Sequence, residues 1–431
     1  MTWALAILDD GISNAVQARA GKATAFEHDY YRNRLDTDEG VADTHGSSVF
    51  LSALRVTRGL DVVDLKIGAP ADGGYSYAMV EIGLQGLLAG GFGHVGAVNM
   101  SFSGTAPPGQ FADEIQALAA RGVLSVAASG NGGSDGGLER PGYPAALAGV
   151  IAIGSHDGLG NPTPFSQNGP GIAVLADGER VPNAASFGTS FAAPQVAATV
   201  ANVQAIVWGL AGHTLGVTAM IDVLRQGGDG PLSRPDPADG STRYFLHDHD
   251  GSLDYAWANF GGSATRALEY VASYGDLIGA LGASAAAGRH HFEHQGSIEE
   301  RQILFDGLHY IASYGDLVDA FGLDEGAGAA HYIGRGLAEG RHVSFDGLQY
   351  IASYRDLVTA LGANEAAGTT HYVAYGHDEG RAADLFDAAQ YLANYVDLQA
   401  AFGGDEDAAT VHYIQYGMAE GRTDHAPDFL F

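Results

Sequence analysis

The chain has 431 residues, with 51 acidic against 21 basic side chains, a formal net charge of −30 and no cysteine. That balance excludes nucleic acid and anionic membrane surfaces as partners, and the lack of cysteine excludes a disulfide framework or a thiolate metal site. No apolar run approaches the ~18–20 residues of a membrane span, so no membrane insertion is expected, and the length accommodates about three domains of ~150 residues.

The first predicted element is the apolar run Trp3-Ala4-Leu5-Ala6-Ile7-Leu8, short and continuous as in a buried parallel strand, closed by Asp9-Asp10-Gly11. In open α/β sheets sites gather at the carboxyl ends of strands, which places Asp9 to orient a base. Thr44-His45-Gly46-Ser47-Ser48-Val49 follows, a histidine and a glycine ahead of an apolar helical pattern. A second buried strand, Val123-Leu124-Ser125-Val126-Ala127-Ala128, ends in Ser129-Gly130-Asn131. An amide at a strand end can donate to a developing oxyanion. Gly188-Thr189-Ser190-Phe191-Ala192-Ala193-Pro194 reads as a serine at the mouth of a buried, small-residue helix with a proline close behind. A serine hydroxyl is a poor nucleophile unless a base takes its proton, so Ser190 demands the partners found upstream.

Taken together and in this order, the motifs around Asp9, His45, Asn131 and Ser190 resemble those of the subtilisin-like serine proteases, whose Asp…His…Ser order differs from the chymotrypsin and α/β-hydrolase orders. The resemblance spans roughly residues 1–258. It implies an α/β domain with a doubly wound, mostly parallel sheet, and a serine endopeptidase acting on protein or peptide through an acyl-enzyme. It implies Ser190 as nucleophile, His45 as general base and then acid, and Asp9 as the group that holds the imidazole. Asn131 and the Ser190 N–H would form the oxyanion hole. Asn99-Met100-Ser101-Phe102-Ser103-Gly104 is similar to the family's substrate-pairing strand, which would lay Ser101, Phe102, Ser103 and Gly104 along the peptide by β-augmentation.

Three positions depart from the family pattern. Asp10 stands where Ser or Thr is usual; like-charge repulsion with Asp9 would raise the pair's pKa, and strand alternation predicts that Asp10 points to solvent. Ser48 replaces a common second histidine, at little chemical cost. Ser103 replaces a glycine and is expected to narrow the pocket before the scissile bond. The implied reaction requires no cofactor. A structural Ca²⁺ site is compatible with the family, but no Asp/Asn run has ligand spacing and no residue is assigned as a metal ligand. His156 reads as a loop residue, since the triad is complete without it.

Met1-Thr2-Trp3 leads straight into the first strand, with neither a signal peptide nor a prosegment ahead of Asp9, so the chain is expected to fold unaided or to be a mature or truncated form. Beyond a linker at 259–265, residues 266–422 hold four repeats of ~40 residues. Tyr270, Tyr310, Tyr350 and Tyr391 recur at spacings of 40, 40 and 41, with His291, His331, His371 and His412 in phase. In one unit Tyr310, Tyr314, Leu317 and Phe321 predict one amphipathic helix, capped by Asp306 and ended by Gly322, and a second from Ala327 to Ile333 with Gly336 as C-cap. An all-α repeat domain therefore follows the α/β domain.

The recurring histidines lie a repeat apart and each adjoins an aromatic, so they read as packing positions rather than ligands of one ion. The tyrosines read chiefly as core, with a sugar-stacking surface as the alternative. The tail at 423–431 ends Asp428-Phe429-Leu430-Phe431, which looks like the end of type I secretion substrates and points to a secreted, bacterial protein. Two other functions fit parts of the chain: a catalytically silent scaffold, and a surface or polysaccharide-binding protein in which the repeats carry the main role. The intact Asp9, His45, Asn131 and Ser190 set argues against the first. Nothing in the sequence sets the oligomeric state.

Overall fold

A computed structural model describes residues 2–35, 37–38, 44–68, 75–104, 111–133, 140–180, 187–228, 231–235 and 243–425. The terminal Asp428-Phe429-Leu430-Phe431 lies outside the described residues.

Seven strands form one sheet: β1 (Trp3–Asp9), β2 (Phe26–Asp29), β3 (Asp61–Lys66), β4 (His94–Met100), β5 (Leu124–Ala128), β6 (Val150–His156) and β7 (Ile172–Asp177). Their order is β2-β3-β1-β4-β5-β6-β7, and every neighbouring pair is parallel. The run Trp3–Asp9 is buried along its whole length, as a strand covered on both faces must be. From β1 the chain winds one way to β2 and β3, then crosses back and adds β4 to β7 on the other side. Such a reversal opens a crevice at the carboxyl ends of the central strands. The pairing Leu8↔Met100 brings the ends of β1 and β4 level there, with Asp9 and Ser101 next in each strand.

Helices cover both faces: α1 (Asn14–Ala20), α2 (His45–Ala53), α3 (Tyr77–Ala89), α4 (Ala112–Ala119), α5 (Thr189–Ala211), α6 (Val217–Gly227) and α7 (His249–Asn259). Ala4, Ala6 and Leu8 pack with Val80, Leu84, Ile115 and Leu118 of α3 and α4. Period-two alternation turns Leu5, Ile7 and Asp9 to the opposite face, where Asp9 meets α2. The 23-residue α5 is buried on all sides from Phe191 to Val207 and serves as the central core helix. Its alanines let it approach the sheet closely; a Cβ at Gly96 would lie 2.8 Å from Ala201 Cα.

Pro194 lies inside α5 and has no N–H for the Ser190 carbonyl four residues back. That carbonyl accepts instead from Ser101 Oγ at 2.7 Å. The missing helical bond thus ties the end of β4 to the start of α5.

The chain divides into two compact units, 1–263 with 290–302, and 264–289 with 303–431. Of the stretch 259–265, only 260–263 lies between the helices: Asn259 ends α7, and Ala264 and Thr265 begin α8 (Ala264–Ala272). Three helices, not two, make each repeat: α8, α9 (Gly275–Leu281) and α10 (Ala285–His291); then α11 (Gly307–Ala312), α12 (Gly315–Phe321) and α13 (Glu325–His331). The third repeat holds α14 (Gly347–Ala352), α15 (Arg355–Leu361) and α16 (Glu365–His371), and the fourth α17 (Ala388–Asn394), α18 (Val396–Phe402) and α19 (Glu406–His412).

The single helix expected from Tyr310 to Phe321 is broken at Tyr314, whose backbone is extended at φ −141, ψ 116. Asp306 caps α11 as expected, accepting from His309 N at 2.8 Å, and Gly322 follows the end of α12. Gly336 is not a C-cap. It belongs to a π-helical turn, Tyr332–Gly336, where the buried Tyr310 hydroxyl fills the space a side chain would need.

Tyr270, Tyr310, Tyr350 and Tyr391 are all 0 % exposed, so these four are core and cannot stack on a sugar. The in-phase histidines hold the last three of them: Tyr310, Tyr350 and Tyr391 Oη lie 3.0, 3.0 and 2.9 Å from Nδ1 of His331, His371 and His412. On the outside Arg341, Arg381 and Arg422 each lie over a tyrosine ring and pair with Asp316, Asp356 and Asp397.

Gly376 meets the Tyr350 hydroxyl as Gly336 meets Tyr310. Gly376→Ala is therefore expected to destabilise the repeat unit by about 1–3 kcal/mol through overpacking. Adding Tyr350→Phe should recover part of that loss by removing the obstructing oxygen. Urea unfolding of the single and double variants checks both statements.

Candidate active site

The site begins with Asp9, fully buried at the end of β1. Its carboxylate accepts three hydrogen bonds: from Asp10 N at 2.9 Å, from Tyr75 Oη at 2.6 Å, and from His45 Nδ1 at 2.9 Å to one oxygen and 3.1 Å to the other. Nδ1 is thereby the protonated nitrogen, and Nε2 of His45 is left to accept.

His45 is the first residue of α2, and Thr44 caps that helix through Oγ1, which accepts from Ser47 N at 3.1 Å. Asp10 completes the cap. It is buried, 5 % exposed, and takes Gly46 N at 2.7 Å and His45 N at 3.3 Å. The outward direction expected of Asp10 is thus wrong. Strand β1 ends at Asp9, and Gly11 at φ +96 turns the chain, so the alternation stops one residue early. A carboxylate has two acceptor oxygens and satisfies two of the N–H groups orphaned at the start of α2.

The two carboxylates set the charge of the site. Burial, followed by repulsion from Asp9, pushes the Asp10 carboxyl up to about 6, against hydrogen bonds from Gly46 and His45 that favour the ion. At His45 burial opposes the charged ring, but the charge and hydrogen bond of Asp9, with Asp10 behind, outweigh it and carry the pKa up to about 9. Burial and then the charges of Asp9 and Asp10 push the Tyr75 phenol far above its usual range, so it remains a donor.

Replacing Asp10 with Ser removes one of the charges that favour imidazolium. The pKa of His45 is expected to fall by on the order of half a unit to one unit. A ¹³C- or ¹⁵N-NMR titration of the ring checks the sign.

Ser190 is the second residue of α5, half-buried, with its N–H among those that a helix start leaves without a helical acceptor. Its Oγ donates to Ser101 O at 2.9 Å, while Ser101 Oγ, itself held by Asn99 Nδ2 at 2.9 Å, donates to Ser190 O. The His45 ring lies beside the next residue, with its centroid 5.6 Å from that of Phe191.

Asn131 is fixed by Thr189, whose N and Oγ1 both donate to Oδ1 at 2.9 Å. Two donors at Oδ1 assign that atom as the oxygen and leave Nδ2 on the side away from Thr189 N–H. A Cβ at Gly188 would lie 2.8 Å from Nδ2, so glycine is needed next to Thr189. Ser190, Asn131, Ser103 and Gly104 line one cleft of about 590 Å³ with Gly142 and Tyr143.

The predicted pairing strand keeps only part of its backbone open. Gly104 N donates to Tyr143 O at 2.7 Å and Gly104 O accepts from Tyr143 N at 2.9 Å, so both its polar groups are committed. Ser103 is exposed on the cleft wall, with Oγ 3.5 Å from Ser129 O. Phe102 packs on Tyr75 with centroids 5.0 Å apart.

Tyr75 and Asp64 are parts of the surroundings that the motifs do not reveal. Asp64 Oδ2 accepts from Ile12 N at 2.8 Å and Thr37 Oγ1 at 2.6 Å and steadies the turn after Asp10; burial pushes its carboxyl up to about 7. The one local sign of Tyr75 is an aromatic directly before the helix-capping Ser76.

The subtilase family model, Peptidase_S8, matches residues 3–221. The chain is 31% identical over 218 residues to alkaline elastase YaB of Bacillus sp. (strain YaB), across 46% of this chain and 53% of that protein. It is 30% identical over 216 residues to subtilisin Savinase of Lederbergia lenta, across 46% of this chain and 75% of that one. It thus spans about half the length of the first of these relatives. A solved cold-adapted subtilisin-like serine proteinase aligns with a TM-score of 0.46 at 18% identity, over 57% of this chain and 87% of that one. The four motifs, the sheet order and the family match converge on one statement: the chain belongs to the subtilase family.

Proposed function

We propose that the chain is a serine endopeptidase in which Ser190, His45 and Asp9 act as the triad and Asn131 as an oxyanion donor. The observation that carries this reading is the His45–Asp9 pair, with Nδ1 bound at 2.9 Å and the ring 5.6 Å from that of Phe191, the residue after a serine at the start of a buried helix. A peptide binds extended beside Ser101, Phe102 and Ser103. The Ser190 hydroxyl rotates from Ser101 O toward His45 Nε2, and such bonds commonly tighten only when substrate binds.

As Oγ bonds to the carbonyl carbon, its proton passes to Nε2, and the carbonyl electron pair moves onto oxygen. Asn131 Nδ2 and the Ser190 N–H donate to that oxygen. Asp9 stabilises the imidazolium without taking its proton. Collapse of the intermediate breaks the C–N bond, and the amine leaves with the proton from Nε2. Water, deprotonated by His45, then attacks the acyl-enzyme and the same steps in reverse restore Ser190. Protein groups supply all of this chemistry, and no cofactor is required.

The raised pKa of His45 fixes the sign of the pH dependence. Only neutral imidazole accepts the serine proton, so kcat/KM rises with pH through the pKa of the free enzyme. The stabilising His45–Asp9 charge pair is present below the unfolded pKa near 6.5 and is lost as pH rises through about 9.

We further propose secretion, by the type I route, on the strength of the acidic-apolar tail read in the sequence. No helix among the described residues is long and apolar enough to cross a membrane. The four buried repeat tyrosines count against the polysaccharide-binding alternative at those positions.

Incubation of the intact chain and its Ser190→Ala form with an unstructured protein, with mass spectrometry of the products, tests the function. Internal cleavage by the first alone is expected. No cleavage by the folded wild type, or equal cleavage by both, would overturn it.

A further inference from the structure

Asp248 caps α7 through its side chain, which accepts from Gly251 N at 3.0 Å, and so fixes the first turn that carries His249 and Asp250. His249 is 8 % exposed. Its Nδ1 lies 2.8 Å from Thr199 Oγ1 on α5. Its other ring nitrogen, Nε2, is buried with no hydrogen-bond partner. Leaving a buried polar atom in that state is unfavourable unless something occupies it.

Two further donors converge on this place. His294 belongs to the 290–302 segment of the same compact unit, and its Nε2 is 4.0 Å from Asp250 Oδ1. One ligand atom from each of His249, Asp250 and His294 lies within 4.8 Å of the others. The ring of His290 leans on His294 with centroids 4.3 Å apart and limits how that imidazole turns.

We propose that His249, Asp250 and His294 form a binding site for a divalent transition-metal ion, with zinc the best match. Two imidazoles and a carboxylate are a set that zinc takes in four-coordinate sites, leaving one position for water. Bonds of ~2.0–2.1 Å in a tetrahedron put ligand atoms roughly 3.3 Å apart. The three groups must therefore close by up to about 1.5 Å from the 4.8 Å limit. The Asp250 side chain is 79 % exposed and that of His294 30 %, so both have room to adjust, whereas His249 is the fixed point.

Thr199 supplies the outer partner that orients a metal-bound imidazole. Its hydroxyl can donate to Gln195 O, 3.1 Å away, and accept Nδ1–H of His249, which leaves the Nε2 lone pair for the ion. Thr199 is nine residues past Ser190, ~13 Å along the helix axis, so the ion plays no part in peptide cleavage. Its effect is to clip the 290–302 segment to α7.

The test is Zn²⁺ titration of the intact chain, stripped by chelator and competed with a chromogenic chelator, alongside Co²⁺ spectra. One tight Zn²⁺ per chain is expected, with the intense visible bands of four-coordinate Co²⁺ and a higher melting temperature when Zn²⁺ is present. Asp250→Asn and His294→Gln should each weaken binding at least ~10-fold. His331→Gln, in the repeats, should leave it unchanged, which separates the site from background binding by the chain's 17 histidines. Asp250 is mostly exposed, so its variant folds whatever His249→Ala does. No stoichiometric Zn²⁺ binding, or unchanged affinity in the folded Asp250→Asn and His294→Gln variants, would overturn the proposal.

Discussion

Ser190→Ala is expected to lower kcat on a peptide substrate by on the order of 10⁶-fold, the scale known for the corresponding loss in subtilisin itself, with little change in KM. The side chain contributes one hydrogen bond, to Ser101 O, and the Ser190 carbonyl still accepts from Ser101 Oγ, so the β4–α5 junction remains tied. Stability should therefore change by no more than ~1 kcal/mol, the net worth of one hydrogen bond. Steady-state kinetics together with circular dichroism separates a chemical loss from a folding one.

Asp9→Asn is expected to lower kcat by about 10⁴-fold. The carboxylate accepts from three donors, Asp10 N, Tyr75 Oη and His45 Nδ1. An amide of the same shape has one oxygen for all three. If that oxygen serves Asp10 and Tyr75, the NH₂ faces His45 and selects the tautomer protonated at Nε2, which cannot take the serine proton. Asp9 is also the leading influence holding the ring's pKa up against burial. The acid limb of kcat/KM should thus move from about 9 toward lower pH even as the plateau falls. Loss of rate with no shift in the limb would mean that Asp9 acts on geometry alone.

The site was legible in the sequence wherever chemistry depends on residues in a short local frame. Asp9 ends a strand, His45 opens a helix, Asn131 follows a strand, and Ser190 lies in the first turn of a helix of small residues; each placement is set by its neighbours along the chain. Asp10 was misread because alternation holds only inside a strand, and the left-handed Gly11 ends β1 at Asp9. Tyr75 was invisible because it meets Asp9 across 66 positions. Gly104 lines the cleft, but its bonds to Tyr143, distant in the chain, decide which backbone groups remain open.

The repeats show the same division. Their period and the cap at Asp306 were readable, yet the break at Tyr314 interrupts no hydrophobic spacing, and the Gly315 beside it is Arg355 and Val396 in the next two repeats. What marks it is a contact to the following repeat: Ser313 Oγ accepts from Ser344 N at 2.8 Å and Phe345 N at 3.0 Å. The glycine at 336 stands out in the sequence, but its cause is not a cap, since the tyrosine it makes room for lies on α11, the first helix of the same repeat. His249 and His294 belong to no motif, and only the fold brings them together.

The most direct measurement is labelling of the intact chain with a serine-directed phosphonate, followed by peptide mapping. One label per chain on Ser190, absent in Ser190→Ala and formed much more slowly in Asp9→Asn, is the expected result. A folded wild-type chain that takes no label, or takes it equally well after Ser190→Ala, would contradict the serine-nucleophile reading.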